Sequence, residues 1–342
     1  MRRFHASACL RASVTVIATL ALSPAVTGCG SGGTSTGGAT RSRSSTGSAS
    51  SLPAPAPPGA VNLPGTGKPP ITIGDKNFTE QFLLGELYRQ ALQARGYQIS
   101  VNRNIGPTEV TIPAVKSGRI DLYPEYLSTW NNAVAGLHRR FGTEVGALRA
   151  GRQYAASQGL ALLRPTLFSN TPGIAVNRSY ATANALQSIA DLARIENTVT
   201  LGGPPQFQQA PDGLPALAQA YGLAPSAFTP LEVGAQYQAL DQGKVQAADV
   251  NTTDGQLAAG RYRLLRDPDQ VFGSGNVVPV VSMRAMLAEG PAFSATIDRV
   301  DALLSVRAMR RLNAAVDAFG QTPAVAAAQF LQAHGLIPPP SP

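Results

Sequence analysis

From residue 71 onward, short β-branched runs alternate with stretches in which apolar residues return every three or four positions. Ile71-Thr72-Ile73-Gly74 reads as a compact strand, after which Leu84, Leu87, Tyr88, Ala91 and Leu92 repeat at helical spacing. Asn77 is placed to cap that helix, and Glu80 three residues on would complete a capping box. Gly96 ends the helix, residues 99–105 read as a strand, and a further helix runs to Gly118 before a strand at 120–123. Strand patterns recur at 173–176, 199–201, 231–233, 245–250 and 277–281, and three helical stretches follow at 293–304, 306–318 and 323–334. Strands that alternate with helices predict an α/β protein with parallel-type sheets covered on both faces. In such sheets a ligand sits beyond the carboxyl ends of the strands, where helix N-termini also point.

The first 69 residues follow none of these patterns. Arg2 and Arg3 precede an apolar run over 14–22 and then small residues, the three parts of an export signal over 1–28. The run Val26-Thr27-Gly28-Cys29 resembles the lipobox of bacterial lipoproteins, which implies lipidation of Cys29; a plain secretory signal is the alternative. Several acyl chains on one cysteine anchor stably, since each buried methylene contributes about 0.8 kcal/mol. The linker 29–69 is built of Gly, Ser, Thr, Pro and Ala and has little to bury, so it is expected to be a disordered tether.

Charge changes the picture mainly by what it excludes. The net charge of the chain is +8, with 28 Lys and Arg against 20 Asp and Glu. Arg2, Arg3, Arg11, Arg41, Arg43 and Lys68 all precede the first carboxylate, Asp75, so the remainder is almost balanced. A nucleic-acid binder would keep its basic excess on the folded part, so no nucleic-acid partner is expected. Cys9 and Cys29 are the two cysteines and both precede the folded part; beyond the leader the histidines are His138 and His334. This inventory lacks the parts of a nucleophile–base pair or a zinc site, and neither an enzyme nor a metal or cofactor protein is expected. Glu80 and Glu125 are candidate paired carboxylates, with capping and ion pairing as the simpler roles. No run after residue 29 reaches the roughly 20 apolar residues that span a bilayer.

Four short runs carry a family resemblance. Ile73-Gly74-Asp75-Lys76-Asn77-Phe78-Thr79-Glu80-Gln81 resembles the first strand and helix start of the osmoprotectant (glycine betaine, choline or quaternary-amine) substrate-binding lipoproteins of ABC importers. Gly118-Arg119-Ile120-Asp121-Leu122-Tyr123-Pro124-Glu125-Tyr126, Pro211-Asp212-Gly213-Leu214 with Tyr221-Gly222-Leu223, and Thr252-Thr253-Asp254-Gly255-Gln256 follow in that family's order. The resemblance implies a two-lobed type II periplasmic-binding-protein fold with a ligand cleft between the lobes. The first lobe would hold 70–174 and 276–342, the second 175–275. The protein would be an extracytoplasmic, lipid-anchored, monomeric receptor that delivers a small solute to a permease with a separate ATPase.

The family cages a trimethylammonium head between tyrosine faces, a cation–π arrangement that needs no formal counter-charge. Matched run by run, Tyr126 and Tyr237 occupy cage-like positions. Lys76, Asn77 and Thr108 lie at helix starts suited to a polar or anionic ligand end, and Thr171, Phe207 and Asn276 complete the expected ligand-binding set. Plain structural roles stay open beside these: loop packing for Tyr126, core packing for Tyr237 and Phe207, solvation for Lys76, capping for Asn77. Three departures stand out. Pro172 and the run Gly273-Ser274-Gly275 stand where the family often has aromatics, and Ala210 stands where it commonly has a carboxylate-holding arginine. Glycine betaine is therefore expected to bind weakly or not at all. A bulkier solute, a ligand-sensing lipoprotein without transport, and a transferase on a similar fold are the alternative readings.

Overall fold

The computed structural model describes residues 62–137, 141 and 143–339. The expected signal 1–28, Cys29, His138 and most of the 29–69 linker lie outside the described residues. The end of that linker differs from a free tether. The Gly65 N–H donates to Arg95 O at 2.9 Å, and Lys68 Nζ donates to Ala288 O at 2.7 Å. A Cβ on Gly65 would fall 2.3 Å from the Tyr97 amide nitrogen, so glycine is what lets this strap lie flat on the domain.

Ten strands form two five-stranded sheets among the described residues. The first has the order β2-β1-β3-β10-β4, from β1 (Ile71–Gly74), β2 (Ile99–Asn102), β3 (Leu122–Tyr126), β4 (Leu160–Leu162) and β10 (Val277–Ser282). The second has the order β7-β6-β8-β5-β9, from β5 (Pro172–Asn177), β6 (Thr200–Gly203), β7 (Ala227–Pro230), β8 (Ala247–Asn251) and β9 (Tyr262–Leu264). Parallel pairing holds for β1 with β2 and β3, and for β6 with β7 and β8. The sheets are nevertheless mixed: β10 runs antiparallel to β3 and β4, and β5 antiparallel to β8 and β9. These antiparallel partners are the strands that adjoin the two passages of the chain between sheets. The strand expected at 231–233 is not formed; the ladder ends at Pro230, the last residue of β7, and Val233 is 77% exposed.

Side chains alternate between two cores on either face of each sheet, as a period of two requires. Val277 and Val281 of β10 join the core with Ile73, Leu84 and Phe293, while Val278 and Val280 join Trp130, Tyr123 and Leu162. In the second sheet Ile174 and Val176 face one core and Ala175 the other. Helix α1 (Thr79–Gln93) buries the periodic residues Leu84, Leu87, Tyr88, Ala91 and Leu92 against the first sheet, and α2 (Thr108–Lys116) contributes Ala114 and Val115. Each such aliphatic or aromatic side chain contributes about 1.5–3 kcal/mol by leaving water.

The chain leaves the first sheet after β4 and returns to it before β10. The two passages lie side by side: Ser169 and Asn276 form an antiparallel bridge, the Asn170 N–H donates to Gly275 O at 3.0 Å, and the Gly275 N–H donates to Ser169 Oγ at 2.8 Å. A third connection is made by the helix Val306–Asp317, termed the bridging helix. It packs on the 3-10 turn Gly255–Ala259 beyond β8, where a Cβ on Gly255 would lie 2.6 Å from Ala314 N. Arg310 Nε donates to Thr252 O at 2.8 Å and Asn313 Nδ2 to Thr253 O at 2.9 Å.

Candidate functional site

The carboxyl ends of β3 and β8, the start of α1, the paired passages and the bridging helix all border one cavity of about 1380 Å³. Its wall draws Phe78, Glu80 and Tyr126 from the first sheet's side, Asp212 and Asp254 from the second's, and Asn313 from the bridging helix. This is the position that strand direction predicts for a ligand in an α/β protein.

Glu80 is the centre of the polar wall, and it does not close a capping box. The N-cap of α1 is Phe78, with no side-chain cap, and Asn77 lies one residue outside it and exposed. Glu80 instead turns inward and is only 3% exposed. Its Oε1 accepts from Tyr126 Oη at 2.7 Å and Asn170 Nδ2 at 3.0 Å, and its Oε2 accepts from Asn313 Nδ2 at 3.1 Å. Four segments distant in sequence thus meet on one carboxylate. Burial, followed by the charge of Glu80 and the bond to it, pushes the Tyr126 hydroxyl well above the usual phenol range, which keeps it a donor. The ring of Phe78 stacks on Tyr126, centroids 6.1 Å apart and planes 22° apart.

Lys76 lies on the other side of Tyr126 and does not line the cavity. Its Nζ pairs with Glu125 Oε1 at 2.6 Å and donates to Thr108 Oγ1 at 2.9 Å, with both charged side chains buried. Glu125 Oε1 also accepts the Tyr126 N–H at 2.8 Å. Lys76 and Thr108 are therefore brought together, but on a carboxylate of the chain itself. The Lys76 ammonium stands 6.0 Å from the Tyr126 ring centroid.

The remaining expected residues separate into two groups. Thr171 lines the cavity, as does Tyr126. Phe207 is buried in a core of the second sheet with its ring 6.4 Å from that of Phe272. Tyr237 is buried against Tyr262 at 4.8 Å between ring centroids, and its hydroxyl donates to Asp254 Oδ2 at 2.9 Å. It shapes the wall through Asp254 rather than by its own face. Asn276 donates to Thr166 O at 2.9 Å and accepts from Ser274, so it fastens the passage. Gly275 is glycine for a local reason: a Cβ there would meet Asn170 O at 1.8 Å. An aromatic side chain cannot occupy that position while the passages stay paired.

Sequence reasoning missed Phe78, Asn170, Asn313, Asp254 and Phe272 as wall residues. For Phe78 a signal was available, since an exposed aromatic next to the first helix start has no core to enter. Asn313 carried none, because a helical asparagine 233 residues from Glu80 announces no partner.

Among the described residues the wall has a single sign of charge. Glu80, Glu144, Asp212, Asp254, Asp269 and Asp317 border the cavity, and no lysine or arginine does so among the described residues. Burial raises the Asp254 carboxyl above its ordinary range despite the bonds from Tyr237 and Asn251. Behind it, Asp249 is pushed up to about 7 by burial and then by the charges of Asp254 and Asp212. Apolar rings beside unneutralised carboxylates form a surface that favours a cation.

Comparison with known proteins agrees with this geometry. Residues 69–333 match the family described as the substrate-binding domain of ABC-type glycine betaine transport systems. A glycine-betaine-binding protein of Pseudomonas aeruginosa is 34% identical over 279 residues, covering 78% of this chain and 88% of the relative. The glycine betaine-binding protein YehZ of Escherichia coli K12 is 30% identical over 298 residues, covering 81% of this chain and 94% of the relative. A solved structure of a glycine betaine/carnitine/choline ABC transporter superposes with a TM-score of 0.73 at 23% identity, covering 78% of this chain and 99% of that one. The fold is accordingly the two-lobed periplasmic-binding fold, each sheet the centre of one lobe, and the chain belongs to the substrate-binding domain family of ABC-type glycine betaine transport systems.

Proposed function

We propose that the chain captures a small quaternary-amine solute between its lobes outside the cell membrane and hands it to an ABC permease, with no reaction catalysed on the chain itself. The observation that carries this reading is the cavity at the carboxyl ends of β3 and β8, where stacked Phe78 and Tyr126 stand beside buried Glu80. Aromatic faces each attract such a head by about 0.5–2 kcal/mol, depending on how far it is desolvated. The lobes comprise 70–174 with 276–342, and 175–275, and they close on the ligand by rotation about the paired passages. Among the described residues no helix is long and apolar enough to cross a membrane, and attachment is assigned to a lipid on Cys29. The receptor acts as a monomer.

Titration of the full chain in detergent with choline, glycine betaine, carnitine and a panel of polyols, read by calorimetry and melting temperature, tests the reading. Saturable binding of a quaternary amine with a melting temperature that climbs with its concentration is the expected result. Binding confined to solutes without such a head would overturn it. A bulkier cargo is favoured by one observation: about 1380 Å³ exceeds the roughly 300–1,000 Å³ of common small-molecule pockets. Closure of the lobes is the other way to take up that volume, and small-angle scattering with and without ligand separates the two.

A further inference from the structure

The charge of the wall goes further than the family likeness, because it speaks to the rest of the cargo and not only to its head. We infer that Glu80 is the counter-charge of the site and its specificity-determining residue, and that the cargo is a net cation bearing no carboxylate. The inference rests on the reading that the cleft binds a quaternary-amine solute.

Three observations carry it. First, every contact to the Glu80 oxygens comes from a neutral donor: a tyrosine hydroxyl and two amide NH2 groups. Lys76 belongs to Glu125, so among the described residues the negative charge at Glu80 has no cation against it. Second, because Asn170 and Asn313 both turn their NH2 groups to Glu80, their carbonyl oxygens face away from it. Those two buried oxygens have no partner among the described residues. Those two oxygens set acceptors beside Glu80 for anything that arrives. Third, the carboxylate of a zwitterion is held best by a cationic, charge-assisted donor, and the described wall has neither lysine nor arginine to supply one. Arg310, on the bridging helix, spends Nε on Thr252 O and interacts with Tyr237 and Asp254. A carboxylate entering this cavity would share it with Asp212, Asp254 and Asp317, and like charges in a partly desolvated cleft repel. Recognition here therefore runs through a formal counter-charge as well as aromatic faces, with the rings of Phe78 and Tyr126 directing the head toward Glu80.

Three probes of nearly equal size separate these terms: choline, a cation; glycine betaine, a zwitterion; and 3,3-dimethyl-1-butanol, the uncharged carbon isostere of choline. Calorimetry on the full chain should give choline an affinity at least tenfold above either of the others. Glu80→Gln keeps the shape and removes the charge. It should lower choline affinity at least tenfold, leave the neutral isostere unchanged, and narrow the gap between choline and glycine betaine. Asp212→Asn provides a check independent of folding, since Asp212 is exposed; it should cost choline two- to fivefold with no change in melting temperature. Glycine betaine binding as tightly as choline, or a choline-to-betaine ratio unmoved by both substitutions, would overturn the inference and leave the importer reading standing. Silence toward all three probes, with carnitine and other quaternary amines also silent, would remove both.

Discussion

Two buried carboxylates flank Tyr126, and they are satisfied in opposite ways. Glu125 meets a lysine ammonium, a threonine hydroxyl and a backbone amide, so its charge is cancelled within the first lobe. Among the described residues Glu80 meets only neutral dipoles, drawn from the first lobe, one of the paired passages and the bridging helix. Burial alone thus does not separate a structural acid from a functional one, and the charge of the partners does. A pair closed on itself holds the fold, whereas an anion held by neutral donors keeps a field that a ligand can complete.

The comparison breaks most visibly at the closed pair. Glu125→Gln or Lys76→Met leaves one charge buried without its partner and should cost about 3–5 kcal/mol in urea unfolding. The double change Lys76→Met with Glu125→Leu should recover most of that loss, because an apolar pair needs no compensation. Recovery of less than half would mean that Thr108 and the Tyr126 amide, rather than the ion pair, set the cost.

The next test reaches the open side without touching its carboxylate. Asn170 reaches Glu80 from a strand that Gly275 lets approach, and a Cβ there would stand 1.8 Å from Asn170 O. Gly275→Ala should destabilise by about 1–3 kcal/mol, as overpacking does, and should weaken ligand binding while the environment of Lys76 stays as it is. Paired chemical shifts of the Asn170 and Lys76 side chains would show whether the damage is confined to one side of Tyr126.

Asp249 in the second lobe sharpens the contrast by having still less help. Its Oδ1 is buried without a partner among the described residues, and its carboxyl is pushed up to about 7, against an ordinary value of 3.8. An acid raised in the folded state holds its proton where the unfolded chain has lost it. This contribution is fully present below about pH 4 and is lost as pH rises toward 7. Asp249→Asn should therefore match the parent near pH 4 and exceed it by up to about 4 kcal/mol at pH 8. Equal stabilities at pH 8 would show that Asp249 is as well served as Glu80. The smallest effect is expected for Glu80→Gln on stability alone, about 1 kcal/mol, which would set its loss in cation affinity apart from simple unfolding.

Periodicity made the framework legible. Helix α1, the C-terminal helices and the strands around Ile73, Val176, Leu201 and Val280 follow from apolar spacing, because burial on a sheet face or helix stripe is a local demand. The three-residue strands Leu160–Leu162 and Tyr262–Leu264 are too short to register a period. The antiparallel entries of β5 and β10 depend on where the passages cross, which local pattern does not encode. The places of Tyr126 and Thr171 on the cavity wall were legible from their positions beside recognisable runs. The ion pair of Lys76 was not legible because its partner, Glu125, is 49 residues away. Asn77 gave way to Phe78 at the helix start, since Glu80 gains more from three donors in the interior than from a cap at the surface.

The contact between Gly255 and Ala314 has a mechanical meaning. With no side chain at Gly255, the backbone of the second lobe rests directly on the bridging helix, and the two hydrogen bonds to Thr252 and Thr253 pin it there. Any rotation of one lobe against the other must turn about this fulcrum and the paired strands beside it. The outer rim, where Val233 and Asp212 stand on the second lobe, is the long arm of the lever. A small angular change at the fulcrum becomes a large displacement at that rim. Asn313 sits on that fulcrum and also touches Glu80, so the carboxylate is joined by one side chain to the point about which the lobes would turn.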